Sequence, residues 1–445
     1  MALILAAGQY RALGQAAADT NRNPVAGSWW TIFNDPLLDS LVRVGLQHNL
    51  DLQTMVARVD EARARLQVAA SYRYPAIRLN PYAASQSLSP NRPVSAVLQE
   101  GQALNRFSLQ TYSVPLELSY EVDLWQRIKK QVKTSKLVQE ATEADLQAAA
   151  LTVSAEIARH YFLLRALDAE QSVVARGIGL RDSTLQIAQA RYTAGLVSIM
   201  DVQRATTEVA QARLQQEDLS RSRRETELTL GLLLGLSPKE VRLAPGPLPA
   251  VLPTVPLAAA ADLARSRPDL VQSERLAAAA HTQVATQKAA LLPRLHLLGS
   301  AGLLSRDIGP ILSPNSGTYL VGASVSLPVF EGFRNKSQLA VGQAQAQAAA
   351  SGYQQRLLTA LQEVETAAAH LELLSRQAQV QQQALASARK TRRYARELYV
   401  KGLTSFLEAI DAERTALELE RQAVNLKGQQ ALYTVALLKA LGGGR

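Results

Sequence analysis

The stretch Arg396-Glu-Leu-Tyr-Val-Lys-Gly-Leu-Thr-Ser-Phe-Leu-Glu-Ala-Ile-Asp411 decides the fold. An apolar-periodic segment runs into Gly402 and another leaves it. Glycine enters left-handed backbone space without a Cβ penalty, so it is the residue for a sharp reversal between two helices. Glu408 and Asp411, three residues apart, share a face of the second helix. The same text occurs earlier. Arg191-Tyr-Thr-Ala-Gly195-Leu-Val-Ser-Ile-Met-Asp201 places Gly195, Ser198 and Asp201 at an offset of 207 from Gly402, Ser405 and Glu408.

Outward from these turns the duplication continues. Trp125 to Tyr192 holds no proline, 68 residues that would extend ~100 Å as one helix. Ala141, Ala144, Ala148, Leu151, Ala155, Ala158 and Phe162 step by three and four, as do Tyr353, Leu357, Ala360, Val364, Ala367, Leu371, Leu374 and Ala378. That repeat predicts a left-handed coiled coil, with small alanines letting the axes approach closely. A helix returns from Gly195 to about Leu236. Ahead of each long helix stand strand-like segments, Ala76–Ser87 and Phe107–Val122 in the first copy, Arg294–Ser305 and Thr318–Phe330 in the second. Tyr112, Val114, Leu116, Leu118, Tyr120 and Val122 alternate with polar residues and Pro115, the period of a two-faced strand. Tyr319, Val321, Ala323, Val325, Leu327 and Val329 form the matching face. Asp35-Pro36 starts a short helix, with a break at His48-Asn49 and a second helix to about Ser71. A short helix at Leu257–Ser266 and another from Pro268 repeat that plan. The change of offset from 218 (Pro75, Pro293) to 207 (Arg127, Arg334) puts 11 extra residues in the first strand-to-strand loop.

Four divisions follow: an N-terminal segment 1–27, a first repeat 28–236, a Pro-rich extended linker 237–256 and a second repeat 257–445. The fold class is mainly α with a β-barrel contribution. Long coiled-coil hairpins are internally duplicated, and each chain carries four membrane strands. Four strands cannot close a barrel, and an open edge cannot sit in lipid, so several chains must share one. Trp125 and Phe333, where strands give way to helices, are candidates for the aromatic belt at the membrane boundary, or are simply packed there.

Composition bounds the function. Hydrophobic residues are 47% and charged residues 19%, which excludes a disordered chain. The net charge of +10 suits nucleic acid, an anionic membrane surface or an acidic partner. There is no cysteine, hence no disulfide, thiol chemistry, Cys-ligated zinc or lipidated N-terminal Cys. Met1–Gly8 reads as part of a signal peptide's apolar core, short and without a basic region. No stretch reaches the ~18–20 apolar residues of a membrane helix, so any crossing is by β-barrel.

Enzyme motifs are absent. His48, His160, His281, His296 and His370 are scattered without metal-ligand spacing. Gly332-Phe-Arg-Asn-Lys336-Ser337 ends like a phosphate loop but lacks its other glycines. The basic run Arg389 to Arg396 has no recognition motif beside it, so no nucleic-acid partner and no cofactor are expected. Folding at Gly402 should bring Arg393 towards Asp411 and Arg396 towards Glu408, which as exposed pairs would contribute ~0–1 kcal/mol each.

At these residues the chain resembles the TolC-like outer-membrane efflux proteins, in the drug-efflux branch that includes OprM. Trp29-Trp30-Thr-Ile-Phe33-Asn-Asp35-Pro36-Leu37 is similar to that branch's N-terminal signature, and Val325-Ser-Leu327-Pro328-Val-Phe330-Glu-Gly332-Phe-Arg334 to its second strand-to-helix motif. The resemblance implies a homotrimer with a twelve-strand barrel in outer-membrane lipid and a long periplasmic α-barrel. It implies a passive exit duct for drugs or other small molecules, with a periplasmic adaptor and an inner-membrane efflux pump as partners. It also implies that Glu408 and Asp411 stand in acidic rings and that Asp201 and Tyr399 hold gate links. Thr404 stands where TolC has a gate arginine and Met200 where it has a threonine, so closure should rely less on charge. The missing lipidated Cys implies a truncated start or anchoring by the barrel alone. A duct for type I protein secretion is the alternative; a periplasmic adaptor or a fibrous coiled-coil protein would not explain two hairpins with four strands.

Overall fold

The computed structural model describes residues 28–89, 107–237, 240–249, 251–253, 255 and 267–443. The expected helix at 257–266, the signal-like start and most of the first strand-to-strand loop lie outside the described residues.

The elements follow in order as α1 (Pro36–His48), α2 (Leu50–Ser71), β1 (Ala76–Leu79), β2 (Tyr82–Leu88), β3 (Phe107–Val122), α3 (Arg127–Thr193), α4 (Ile199–Leu233), α5 (Pro268–Ala289), β4 (Arg294–Ser305), β5 (Gly317–Ser326), α6 (Arg334–Val400) and α7 (Phe406–Ala440). Helices α3 and α6 have 67 residues each, and α4 and α7 have 35 each. Both pairs are displaced by 207 residues. Helices α2 and α5 have 22 each. By contacts the chain divides into two compact units. One comprises the described residues of Met1–Arg58, Glu143–Gln272 and Gln354–Arg445, the other those of Val59–Thr142 and Ser273–Tyr353.

The second unit holds one antiparallel sheet in the order β1-β3-β4-β5, with β2 also pairing β3. The single strand expected over Ala76–Ser87 is interrupted at Asn80-Pro81, because proline has no N–H for the ladder. Both pieces lie along β3, Ala76 opposite Ser119 and Tyr82 opposite Ser113, so four rows of strand remain. The strand expected to reach Phe330 ends at Ser326, two residues before Pro328. β4 joins the two copies, with Leu116 opposite Ala301 and Gly299 opposite Val321. The row of β1 and β2 and the strand β5 are the edges, unpaired on their outer sides among the described residues.

The sheet leaves apolar side chains uncovered alongside polar ones. Tyr319 and Val321 are 83% and 84% exposed, and Leu116 is exposed as well, whereas Ser113 is buried. Apolar side chains turned outward on a sheet with open edges need lipid and further strands. Among the described residues, no helix is long and apolar enough to cross a membrane. Where β3 meets α3, the Asp123 carboxylate accepts from the N–H groups of Ile128 (2.9 Å) and Lys129 (2.8 Å), and Arg127 forks onto Glu121. Trp125 and Phe333 are both exposed, and the Trp125 indole donates to the Pro293 carbonyl at 2.8 Å.

The first unit's core gathers Leu38, Val42, Ile157, Phe162 and Leu230, all fully covered. Burying each contributes about 1.5–3 kcal/mol. The N-terminal signature feeds this core. Phe33 packs on Phe162 with ring centres 4.7 Å apart, and the Trp29 indole donates to Ser154 Oγ at 3.1 Å. Asp35 caps α1 through the N–H groups of Leu37 and Leu38 and also accepts from the Tyr161 hydroxyl. The linker segment 240–249 lacks regular structure, as expected of an extended stretch, yet it is tied down. Arg165, Arg223 and Arg224 donate to the carbonyls of Ala244, Leu243 and Val241, at 2.9, 2.7 and 2.8 Å. Asp168, almost wholly covered, accepts from Arg165 (2.9 Å), Arg223 (2.6 Å) and the Gly246 N–H (3.0 Å).

Candidate channel-tip site

Both hairpin tips are built by the same backbone device. Gly195 and Gly402 take φ of 74° and 76°. In the first tip the N–H of Leu196 donates to the Arg191 carbonyl and that of Gly195 to Tyr192, both at 2.9 Å. In the second, Leu403 donates to Leu398 and Gly402 to Tyr399, again at 2.9 Å. This is the left-handed Schellman end of a helix, open to glycine and strained for any other residue. Ser198 and Ser405 then cap the returning helices. The second cap is a full capping box, in which Ser405 Oγ accepts from the Glu408 N–H (3.3 Å) and Glu408 accepts from the Ser405 N–H (3.4 Å).

Ala188, Val202, Ala205, Tyr399, Phe406, Ala409 and Ile410 form a core that joins the tips. Tyr399 lies in it, 2% exposed, with its ring edge-on to Phe406 at 6.0 Å. Its hydroxyl is buried without a hydrogen-bond partner among the described residues. Burial raises its pKa above the ordinary tyrosine value; Arg191 opposes that rise and Asp201 adds to it. Among the described residues, no hydrogen bond joins Asp201 to the Tyr399 hydroxyl.

Glu408 and Asp411 are exposed on one face of α7. The Glu408 carboxylate serves the cap and also accepts from the Thr404 hydroxyl. Asp411 acts on Arg414, one turn on. The expected pairs Arg393–Asp411 and Arg396–Glu408 do not form among the described residues. Antiparallel packing is offset from the register assumed: Arg389 reaches Glu420 at 2.9 Å and Arg392 at 3.5 Å, while Arg396 acts on Glu413. Among the described residues, neither acidic side chain forms an ion pair with an arginine of α6.

Sequence reasoning missed Arg191. Its Nη1 donates to the Tyr399 carbonyl at 2.7 Å, and its guanidinium lies 5.0 Å from the centre of the Tyr399 ring. The uncharged Thr404 suggested little charge between the hairpins, yet Arg191 supplies it from the other hairpin. A signal was present: the second copy has Leu398 where the first has Arg191. Above the tip, Glu208 takes Arg181 (3.5 Å) and Arg414, and Glu170 takes Arg421 (2.7 Å). Glu413 is buried with one carboxylate oxygen unpartnered among the described residues, and burial raises its pKa against the pull of Arg181, Arg392 and Arg396.

Comparison with known proteins agrees with this geometry. The chain is 27% identical over 436 residues to the probable efflux pump outer membrane protein TtgC of Pseudomonas putida, covering 97% of this chain and 88% of that protein. It is 27% identical to the pyoverdine export outer membrane protein OpmQ of Pseudomonas aeruginosa, covering 98% and 90%. The solved outer-membrane channel OprN superposes with a TM-score of 0.88 at 29% identity, covering 95% of this chain and 94% of that one. The family model described as outer membrane efflux protein matches residues 41–236 and 260–443, and the chain belongs to that family.

Proposed function

We propose that this protein is the outer-membrane exit duct of a tripartite efflux system for drugs or other small molecules, serving an inner-membrane pump through a periplasmic adaptor. It works as a homotrimer. Each chain gives four rows of strand to a twelve-strand barrel, and the two repeats, 28–236 and 257–445 joined by 237–256, give their hairpins to one helical wall. Transport is passive. The observation that carries this reading is the sheet with outward apolar faces and two open edges, in a chain whose described helices cannot cross lipid. The relatives' names, efflux pump for TtgC and pyoverdine export for OpmQ, support small organic molecules as cargo.

At the tip, Glu408 and Asp411 would repeat around the trimer axis as rings of carboxylate that favour cations, and Asp201, Tyr399 and Thr404 would hold the hairpins closed. Mass measurement in mild detergent should give three chains, and deletion of the gene should raise sensitivity across a drug panel. A folded, membrane-inserted monomer would sink the assembly, and unchanged sensitivity to every compound would sink the export role.

A further inference from the structure

Each long helix leaves the sheet through the same short run of charges. Val122 lies opposite Leu295 and Leu295 opposite Val325, so β3 and β5 finish at one end of the sheet. Apolar side chains face outward there. Leu124 and Trp125 are exposed in the first copy and Phe330 and Phe333 in the second, with Val329 87% exposed. Basic residues follow at once. Arg127 and Arg334, equivalent at the repeat offset, are each tied to a carboxylate, Glu121 at 2.7 Å and Glu331 at 2.6 Å. Lys129 and Lys336, equivalent at the same offset, are exposed and, among the described residues, have no carboxylate partner. The same holds for Lys133 and Lys136, four and seven residues after Lys129 and so on its face of α3. Ile128 and Val132 of that helix turn inward. No acidic residue stands between Asp123 and Glu140, nor between Glu331 and Glu363.

This pattern works against the helices themselves. The start of a helix is the positive end of its dipole, which favours carboxylates and disfavours ammonium groups. Neither α3 nor α6 has an acidic residue in its first turn, yet each carries a free lysine there. A negative charge outside the fold would offset that cost. We propose that Lys129, Lys133, Lys136 and Lys336 hold the phosphodiester headgroups of anionic phospholipids, in the leaflet on the helical side of the membrane. The position fits. The exposed apolar girdle ends at Trp125 and Phe333, and aromatic residues concentrate where a barrel leaves the hydrocarbon. The headgroup layer beyond it is ~5–8 Å deep. The stripe from Lys129 to Lys136 is ~10 Å long at ~1.5 Å per residue. A lysine reaches a phosphate with its ammonium while its methylenes stay against the girdle. Part of the chain's net charge of +10 thereby meets an anionic surface. This site rests on the barrel reading given above.

The protein is reconstituted into vesicles of phosphatidylcholine and phosphatidylglycerol in equal parts and re-extracted in mild detergent, and its bound lipids are counted by mass. The parent should keep phosphatidylglycerol over phosphatidylcholine, and about 1 M salt during extraction should erase the preference. The combined changes Lys129→Gln, Lys133→Gln, Lys136→Gln and Lys336→Gln should lower the preference by roughly fivefold or more, since one basic residue at an anionic surface is worth about a factor of five. Arginine at the same four positions should keep it. Equal counts of both lipids on the parent overturn the proposal, whether or not the glutamine variant folds. A folded glutamine variant with the parent's preference overturns it as well. Altered ion selectivity in that variant, with the lipid preference intact, would put the lysines on the duct wall and overturns it too. A parent that inserts into no vesicle overturns the barrel reading itself.

Discussion

Arg191 of one hairpin donates to the backbone carbonyl of Tyr399 in the other at 2.7 Å, with its guanidinium over the same residue's ring. That carbonyl also accepts from Gly402, so the arginine grips the residue that forms the turn. A hydrogen bond from a charged donor contributes about 1.5–3 kcal/mol. Arg191→Ala should therefore favour the open tip by roughly tenfold or more, with each 1.4 kcal/mol worth about a factor of ten. Single-channel recording would show larger or longer openings. Tyr399→Phe should leave the closed state intact, because among the described residues its hydroxyl has no partner to lose. Openings in Tyr399→Phe but not in Arg191→Ala would place the latch on the hydroxyl instead.

Among the described residues, Glu408 and Asp411 make no ion pair with an α6 arginine, so the proposed acidic ring can be tested apart from such pairing. Glu408→Ala with Asp411→Ala should reduce cation preference and block by trivalent cations in a planar bilayer, with the trimer unchanged. Glu408→Ala alone also removes the reciprocal half of the capping box, leaving the Ser405 cap in place, and should lower stability slightly. A melting curve measures that separately. Unaltered selectivity with lowered stability would leave the cap as the only role.

Glu413 titrates at raised pH because burial disfavours its charge. The folded state therefore binds its proton more tightly than the unfolded state does. The stability this gives is fully present below the unfolded pKa and is lost as pH rises through the folded one. Glu413→Gln keeps the shape without the charge. It should raise the melting temperature at neutral pH and leave it unchanged at pH 4. Equal shifts at both pH values would mean that the arginines around Glu413 already neutralise it.

Asp168 ties two arginines and the linker backbone together in the first unit. Asp168→Ala leaves Arg165 and Arg223 covered without this carboxylate, a change that costs about 3–5 kcal/mol. Limited proteolysis should cut within residues 240–249 in the variant and not in the parent. An uncut variant with a parental melting temperature would show that Glu227, which also accepts from Arg223, and the linker carbonyls suffice.

The sequence by itself determined the duplication, because equal spacing of glycine turns, caps and heptads is local information. Gly195 and Gly402 set the turns without help from anything distant, and α3 and α6 begin at Arg127 and Arg334, the pair that revealed the repeat. The outward apolar faces of β3 and β5 were legible from period two alone. Tertiary structure decided the rest. Which acidic residue meets which arginine depends on how two long helices slide past each other. A shift of one turn, about 5.4 Å, replaces every partner. Hence the expected Arg393–Asp411 and Arg396–Glu408 pairs gave way to Arg389 and Arg392 on Glu420. Arg191 on Tyr399 and the arginines on the linker carbonyls were likewise hidden, since a backbone carbonyl leaves no mark in the sequence. The two prolines that shortened strands were visible in advance, but their effect depends on whether the lost N–H faces a paired neighbour, and sheet register alone settles that.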